Sequence, residues 1–202
     1  MVWQEIEHHL KHYQPNLQNF PNTLKEAAVL IPILKKDKPE IVLTLRSNEL
    51  STHQGEVAFP GGKRDASDKD LLQTALRESY EEIALVPDNV KIVGSLQSLV
   101  SKHRLMVKPY VGLVNDPFTY RVNADEIAHV FTVPLDFFKT PPRTFTHRID
   151  CFGMHWYVPC YQYQQFKIWG LTASIIVELV NLLFGMHVSL HNRPEHASLI
   201  KL

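Results

Sequence analysis

The stretch from Gly61 to Leu85, GGKRDASDKDLLQTALRESYEEIAL, constrains the fold of this chain more than any other. It opens on a turn and closes as a helix. Glycine takes positive φ and lets backbone approach a ligand closely, so Phe59-Pro60-Gly61-Gly62 reads as a strand end followed by a turn. At about 100° per residue, Glu78, Glu81 and Glu82 fall within one arc of roughly 100°. Leu72, Ala75, Leu76 and Ile83 occupy another arc, centred about 130° away. One helix therefore carries an apolar stripe for anchorage and a cluster of carboxylates facing elsewhere. Carboxylates at i, i+3 and i+4 repel one another by roughly 0.3 kcal/mol per pair on an exposed helix. Solvent alone supports such a face, and a hard divalent cation with oxygen ligands offsets the repulsion where the face is partly buried. Asp65 and Asp68 add acid ahead of the helix. A glycine turn feeding an acidic helix suits metal ions and a phosphate chain.

The residues from Gly62 to Leu85 resemble the Nudix box, G-x5-E-x7-R-E-U-x-E-E-x-G-U, with U an aliphatic residue. The spacing from Gly62 to Arg77 is one residue longer than the pattern. Asp68 stands where the first Glu belongs, Ser79 at a U position and Ala84 where Gly is expected. The preceding run, LTLRSNELSTHQGEVAFPGG from Leu43 to Gly62, is similar to the signature of the coenzyme A diphosphatase branch. That branch carries T-x-R-S, H-x-G-E-V-A-F-P-G-G, paired Asp residues and T-A-L-R-E-x-x-E-E, and Thr74 to Glu78 fit its last element. Ala84 is poorer than glycine at a left-handed helix end.

The resemblance implies the Nudix fold, an α/β fold with a mixed β-sheet in an α/β/α sandwich. It also implies metal-dependent hydrolysis of the diphosphate bond of coenzyme A or acyl-CoA. The products would be 3′,5′-ADP and (acyl-)4′-phosphopantetheine, with Mg2+ or Mn2+ as cofactor. The alternatives are a Nudix hydrolase of another nucleoside diphosphate derivative, such as ADP-ribose or NADH, and a catalytically silent binding module. Glu78 and Glu82, one helical turn apart, fit as metal ligands. Glu81 is a third ligand or holds the attacking water. Arg77 orients carboxylates by two-point bonding. Glu126, at the start of a later strand, offers a carboxylate from elsewhere in the chain. Arg46 and Ser47 of T-x-R-S, His53 and Glu56 of H-x-G-E, Gly61, Gly62 and Arg64 are the candidate substrate contacts. The 3′-phosphate of coenzyme A calls for a cation, and Arg46, Lys63, Arg64, Lys102 and Arg104 flank the motif. No P-loop, GxGxxG or GxSxG pattern supports a kinase, dinucleotide oxidoreductase or esterase.

Basic and acidic residues balance at 21 each, so nothing calls for nucleic acid or an anionic membrane, and phosphate affinity must be local. At 202 residues the chain is read as one domain, 1–202, with an N-terminal helix and linker over 1–24, the box at about 61–85 and a tail from 185. Cys151 and Cys160 are too far apart for a CxxC motif and are read as reduced thiols of a cytoplasmic protein. The apolar window Leu171 to Leu190 contains Glu178, Asn181 and His187 and reads as a core helix rather than a membrane span.

In order, Val2 to Tyr13 reads as a helix, and Ala27 to Leu34 as a buried strand whose Pro32 suggests a bulge or an edge. Ile41 to Arg46 returns as a hairpin, and Glu56 to Phe59 delivers the glycine pair. Val90 to Leu99, Leu105 to Val114, Phe118 to Val122 and Glu126 to Val133 read as strands. Arg143 to Asp150 and Met154 to Gln162 read as a second hairpin. Thr172 is the expected N-cap of a last helix ending near Phe184. The early strands and the Trp3 helix offer a surface for a homodimer.

Overall fold

A computed structural model of the chain describes residues 3–16, 20–21, 23–47, 55–139, 143–151, 154–192 and 199–201. It forms two compact units, 1–135 and 136–202. In the first, helix α1 (Trp3–His12) is followed by strands β1 (Lys25–Leu34), β2 (Glu40–Arg46), β3 (Val57–Ala58) and β4 (Gly61–Lys63). Helix α2 (Leu71–Ile83) comes next, then β5 (Val90–Ser95), β6 (Leu99–Val100), β7 (Leu105–Val114) and β8 (Ile127–Pro134). The sheet is mixed, as expected. β1 runs parallel to β7 from Lys25↔Leu105 to Leu34↔Val114, and the other pairings of this sheet among the described residues are antiparallel.

β1 is the strand on which the site is built. Both its faces are buried, which is why it reads as an unbroken apolar run. Ala28, Leu30 and Leu34 join Ala75 and Ile83 of α2 in one core cluster, while Ala27, Ile31 and Ile33 are buried on the opposite face. Away from β7, β1 forks. Ala27, Ala28 and Val29 pair with Lys63, Gly62 and Gly61 of β4, whereas Ile33 and Leu34 pair with Ile41 and Glu40 of β2. Pro32 is therefore neither at an edge nor at a bulge. The Leu30 N–H donates toward the forked side, to Pro60 O at 2.9 Å. N–H directions alternate along a strand, so the donor that Pro32 lacks would fall on that side too, between the end of β4 and the start of β2. The fork also limits the expected β1–β2 hairpin to those two pairs, and β2 spends its length on β8.

α2 starts at Asp70, whose carboxylate accepts the Gln73 N–H at 2.8 Å, and ends at Ala84 in the left-handed region, φ 56° and ψ 30°. There the Ala84 N–H donates to Tyr80 O and the Leu85 N–H to Ser79 O. A side chain in that conformation is strained, and glycine is not. Ala84→Gly is expected to raise the unfolding free energy by about 0.5–1 kcal/mol in urea titration. An unchanged or lower value would mean that the local contacts of the methyl outweigh the strain.

The strand expected over Phe118 to Val122 is absent, and the segment is irregular. It caps α2 instead. The Arg121 N–H donates to Ile83 O at 3.2 Å and the Asn123 N–H to Glu82 O at 2.9 Å, filling carbonyls that a helix end leaves open.

The second unit contains β9 (Arg143–Cys151), β10 (Met154–Tyr163), β11 (Phe166–Ile168), helix α3 (Gly170–Phe184) and β12 (Leu199–Lys201). The β9–β10 hairpin is present, and β11 and β12 extend it on either side in a four-stranded sheet. Thr172 is not the cap. Trp169 occupies that position without a side-chain bond, and Thr172 is buried in the first turn of α3. α3 packs on β10 and is buried nearly all round, which accounts for its hydropathy. Among the described residues no helix is long and apolar enough to cross a membrane.

Candidate active site

The three glutamates of α2 are placed at three depths. Glu82 is buried at 1% exposure, Glu78 sits at the rim, and the side chain of Glu81 is 48% exposed. The helix is thus rotated so that part of its acidic arc faces inward beside Ala75, Ser79 and Ile83. Ser79 fills an apolar position because its hydroxyl donates to Ala75 O at 2.7 Å and satisfies itself.

Glu82 joins both halves of the sequence motif. Its Oε2 accepts the Gly61 N–H at 3.0 Å, and its Oε1 faces Arg46 Nη1 at 3.3 Å. Burial pushes its carboxyl up to about 8; the Gly61 N–H and Arg46 oppose that push, while Glu78 and Glu126 add to it. Burial also raises the Glu78 carboxyl, against the pull of Arg77. A Cβ on Gly62 would meet the Glu78 carboxylate and push it from this position. Gly61 lies at φ 153°, and a Cβ there would meet Ala28 O.

Arg77 ties the acidic groups together. Its Nε and Nη2 meet Asp68 Oδ1 and Oδ2, each at 3.0 Å, in a two-point fork. Nη1 donates to Glu78 Oε1 at 3.0 Å and to Glu81 Oε2 at 2.9 Å, and Nη2 also reaches Lys63 O. Asp68 is buried and further held by the Asp65 N–H and the Thr74 hydroxyl, each at 2.9 Å. The Arg77 guanidinium holds the Asp68 carboxyl well below the usual carboxylate range. Asp68 is thus a positioning residue that the sequence reading left outside the site. Its signal was present, since it occupies the acidic position of the box pattern.

Glu126 comes to the same place by another route. Its carbonyl accepts the Ser47 N–H at 2.8 Å, and its carboxylate accepts the Asn123 amide at 3.3 Å. Its charge acts on both Glu78 and Glu82. Glu56 is beside the turn but paired with Lys102 at 2.9 Å. Arg64 is held by Glu26 at 2.7 Å and by the carbonyls of Asp68 and Lys69. His53 lies outside the described residues.

Among the described residues no three His, Cys, Asp or Glu side chains converge as a closed metal cage. The donor set still fits a small hard cation. Mg2+ keeps several waters and is held by one or two carboxylates together with substrate phosphates. Glu78 and Glu82 would supply that pair, and the mutual repulsion of Glu78, Glu82 and Glu126 is what a cation would relieve. Among the described residues Arg46 Nε is buried without an acceptor, which suits an anionic ligand oxygen beside Glu82.

The NUDIX domain family matches residues 24–148. A Pectobacterium atrosepticum protein named as an uncharacterized Nudix hydrolase, NudL, is 41% identical over 77% of this chain and 81% of its own length. Its namesake in Yersinia enterocolitica is 42% identical over 82% of this chain and 85% of its own. A solved structure of a MutT/nudix family protein from Enterococcus faecalis shares the fold, with a TM-score of 0.56 at 12% identity over 85% of this chain and 66% of that one.

Proposed function

Since the chain belongs to the Nudix family, hydrolases of the diphosphate bond in nucleoside diphosphate derivatives, we propose that its substrate is coenzyme A or an acyl-CoA. The products of that cleavage are 3′,5′-ADP and 4′-phosphopantetheine or its acylated form. One observation carries this reading. Arg46 of the T-x-R-S element and Gly61 of the glycine turn bond the same carboxylate, Glu82, so the upstream signature and the box form a single site.

Glu78 and Glu82 would hold the divalent ion. The chemistry it supplies is neutralisation of phosphate charge and activation of water. The chain does the rest. Arg77 fixes Glu78 and Glu81 in place from its anchor on Asp68. Arg46 Nε, buried without an acceptor, would donate to a phosphate oxygen. Water attacks one phosphorus, the bridging P–O bond breaks, and its electron pair leaves on the departing phosphate. The proton of the water goes to a carboxylate at the rim, Glu81 or Glu126.

The test is a comparison of coenzyme A, ADP-ribose and NADH with Mg2+ or Mn2+. Coenzyme A is expected to have the highest kcat/KM, and chelation is expected to abolish turnover. Faster cleavage of ADP-ribose or NADH would assign the site to that nucleotide instead.

A further inference from the structure

The basic residues around the turn divide into two groups. Arg46 faces Glu82, Arg64 faces Glu26, and Lys102 faces Glu56. Among the described residues, Lys25, Lys63 and Arg104 pair with no carboxylate. All three line one cavity of about 510 Å³, together with Thr23 and His103, over the apolar side chains of Leu24 and Leu105.

The sheet brings these cations together. Lys25 pairs with Leu105 across the β1–β7 ladder, and Lys63 pairs with Ala27 two residues further along β1. Partners across a ladder share a face, as do residues two apart, so Lys25 and Lys63 extend from the same side of the sheet. Arg104 arrives from the β6–β7 connection. Its N–H donates to Ser101 O and the Ser101 N–H to Leu105 O, each at 2.9 Å, and the turn holds Arg104 at φ 58°. An arginine kept in that conformation, in a turn glycine would suit better, marks a backbone whose position matters. Lys63 directly follows Gly62, so the edge strand β4 joins the two places: the Glu78 carboxylate lies against Gly62 on the α2 face, and Lys63 leaves on the opposite face.

Three unneutralised cations in one concavity repel one another until an anion joins them. A phosphate monoester carries about −1.5 to −2 charge and three acceptor oxygens, which matches three donors better than a carboxylate does. We infer that this cavity binds a phosphate monoester borne on the same substrate as the diphosphate, through Lys25, Lys63 and Arg104. On the coenzyme A reading, on which the inference rests, that group is the 3′-phosphate of the ribose. The cavity then selects coenzyme A over nucleotides that carry the diphosphate alone.

The test separates this inference from the reading beneath it. Calorimetry with Mg2+ compares 3′,5′-ADP with 5′-AMP, which lacks only the second phosphate. The wild-type protein is expected to bind 3′,5′-ADP about tenfold to a hundredfold more tightly. In Lys25→Ala/Arg104→Ala that preference is expected to vanish while 5′-AMP affinity holds. Lys25→Gln/Arg104→Gln, which keeps longer stems, serves if the alanine variant melts early. No preference in the wild type, or one that survives in both variants, overturns the inference. Inorganic phosphate competing as well as 3′,5′-ADP would reveal a free-anion site and overturn it too. Coenzyme A and its 3′-dephospho form are cleaved in parallel. Turnover of both with equal KM sinks the cavity's role alone, whereas turnover of neither sinks the coenzyme A reading and leaves the binding result to judge the cavity.

Discussion

Glu82→Gln is expected to lower kcat about a thousandfold, comparable to removing a preorganised charge from a water-poor site, with the chain still folded. Glutamine preserves shape but replaces one acceptor oxygen with an NH2 group. Glu82 accepts from Gly61 N–H on one oxygen and faces Arg46 on the other, so the amide turns its NH2 toward a donor in either orientation. The negative charge that would share a divalent ion with Glu78 is gone as well. Stability responds differently. Burial disfavours the charge on Glu82, so its removal also relieves a cost, and the unfolding free energy is expected to change by no more than about 1 kcal/mol. Steady-state kinetics with Mg2+ and urea unfolding read the two effects separately. Equal trace rates in both proteins would point to a binding module that does not turn over. A large loss of stability would mean that the carboxylate acts mainly in the fold.

The helix rotation behind that prediction shows where sequence reading stops. Periodicity places Glu78, Glu81 and Glu82 on one arc, and they do share one end of α2. It cannot say which of them turns inward. That is decided by the glycine turn, which offers the Gly61 N–H to Glu82, and by Asn123, which caps the same residue's carbonyl from a segment far along the chain. Phe118 to Val122 has the residue types of a strand, yet its Arg121 N–H, like the Asn123 N–H just beyond it, goes to the end of α2. Pro32 reads as an edge residue only when its neighbours are unknown, because a forked strand leaves no trace in local pattern. Arg64 reads as a substrate cation until Glu26, on β1, is seen to hold it. The junction between the two units, at Leu135 and Asp136, has no run of Gly, Ser or Pro to mark it. By contrast the box, its flanking signature and most strands of the first unit were legible, because each depends on residues close together in sequence. Asp68 lies between these cases. Its place in the motif was visible, but its fork to Arg77 depends on the turn in which Ser67 bonds Asp65 and the Asp68 N–H bonds Asp65 O.

Arg77→Ala should destabilise the protein by about 3–5 kcal/mol and cut kcat roughly a hundredfold, and both losses trace to one guanidinium. Without it the buried Asp68 keeps a negative charge and loses both bonds of the fork, while Glu78 and Glu81 lose the donor that holds them side by side. Arg77→Lys retains a charge but not the planar fork, so it should recover part of the stability and little of the rate. The acid limb of stability identifies the partner. In the folded protein the Asp68 carboxyl sits below its unfolded value of about 3.9, so its contribution is complete above that pH and is lost as pH falls toward the lower folded value. Asp68→Asn should therefore be less stable than wild type at neutral pH and lose less on acidification below about pH 4. In a double-mutant cycle Asp68→Asn and Arg77→Ala should cost much less together than the sum of the two alone, because each removes the same contact. Strict additivity would place the stabilising role of Arg77 on Glu78 and Glu81 instead, and the helix would then be anchored by the carboxylates it presents rather than by the loop that precedes it.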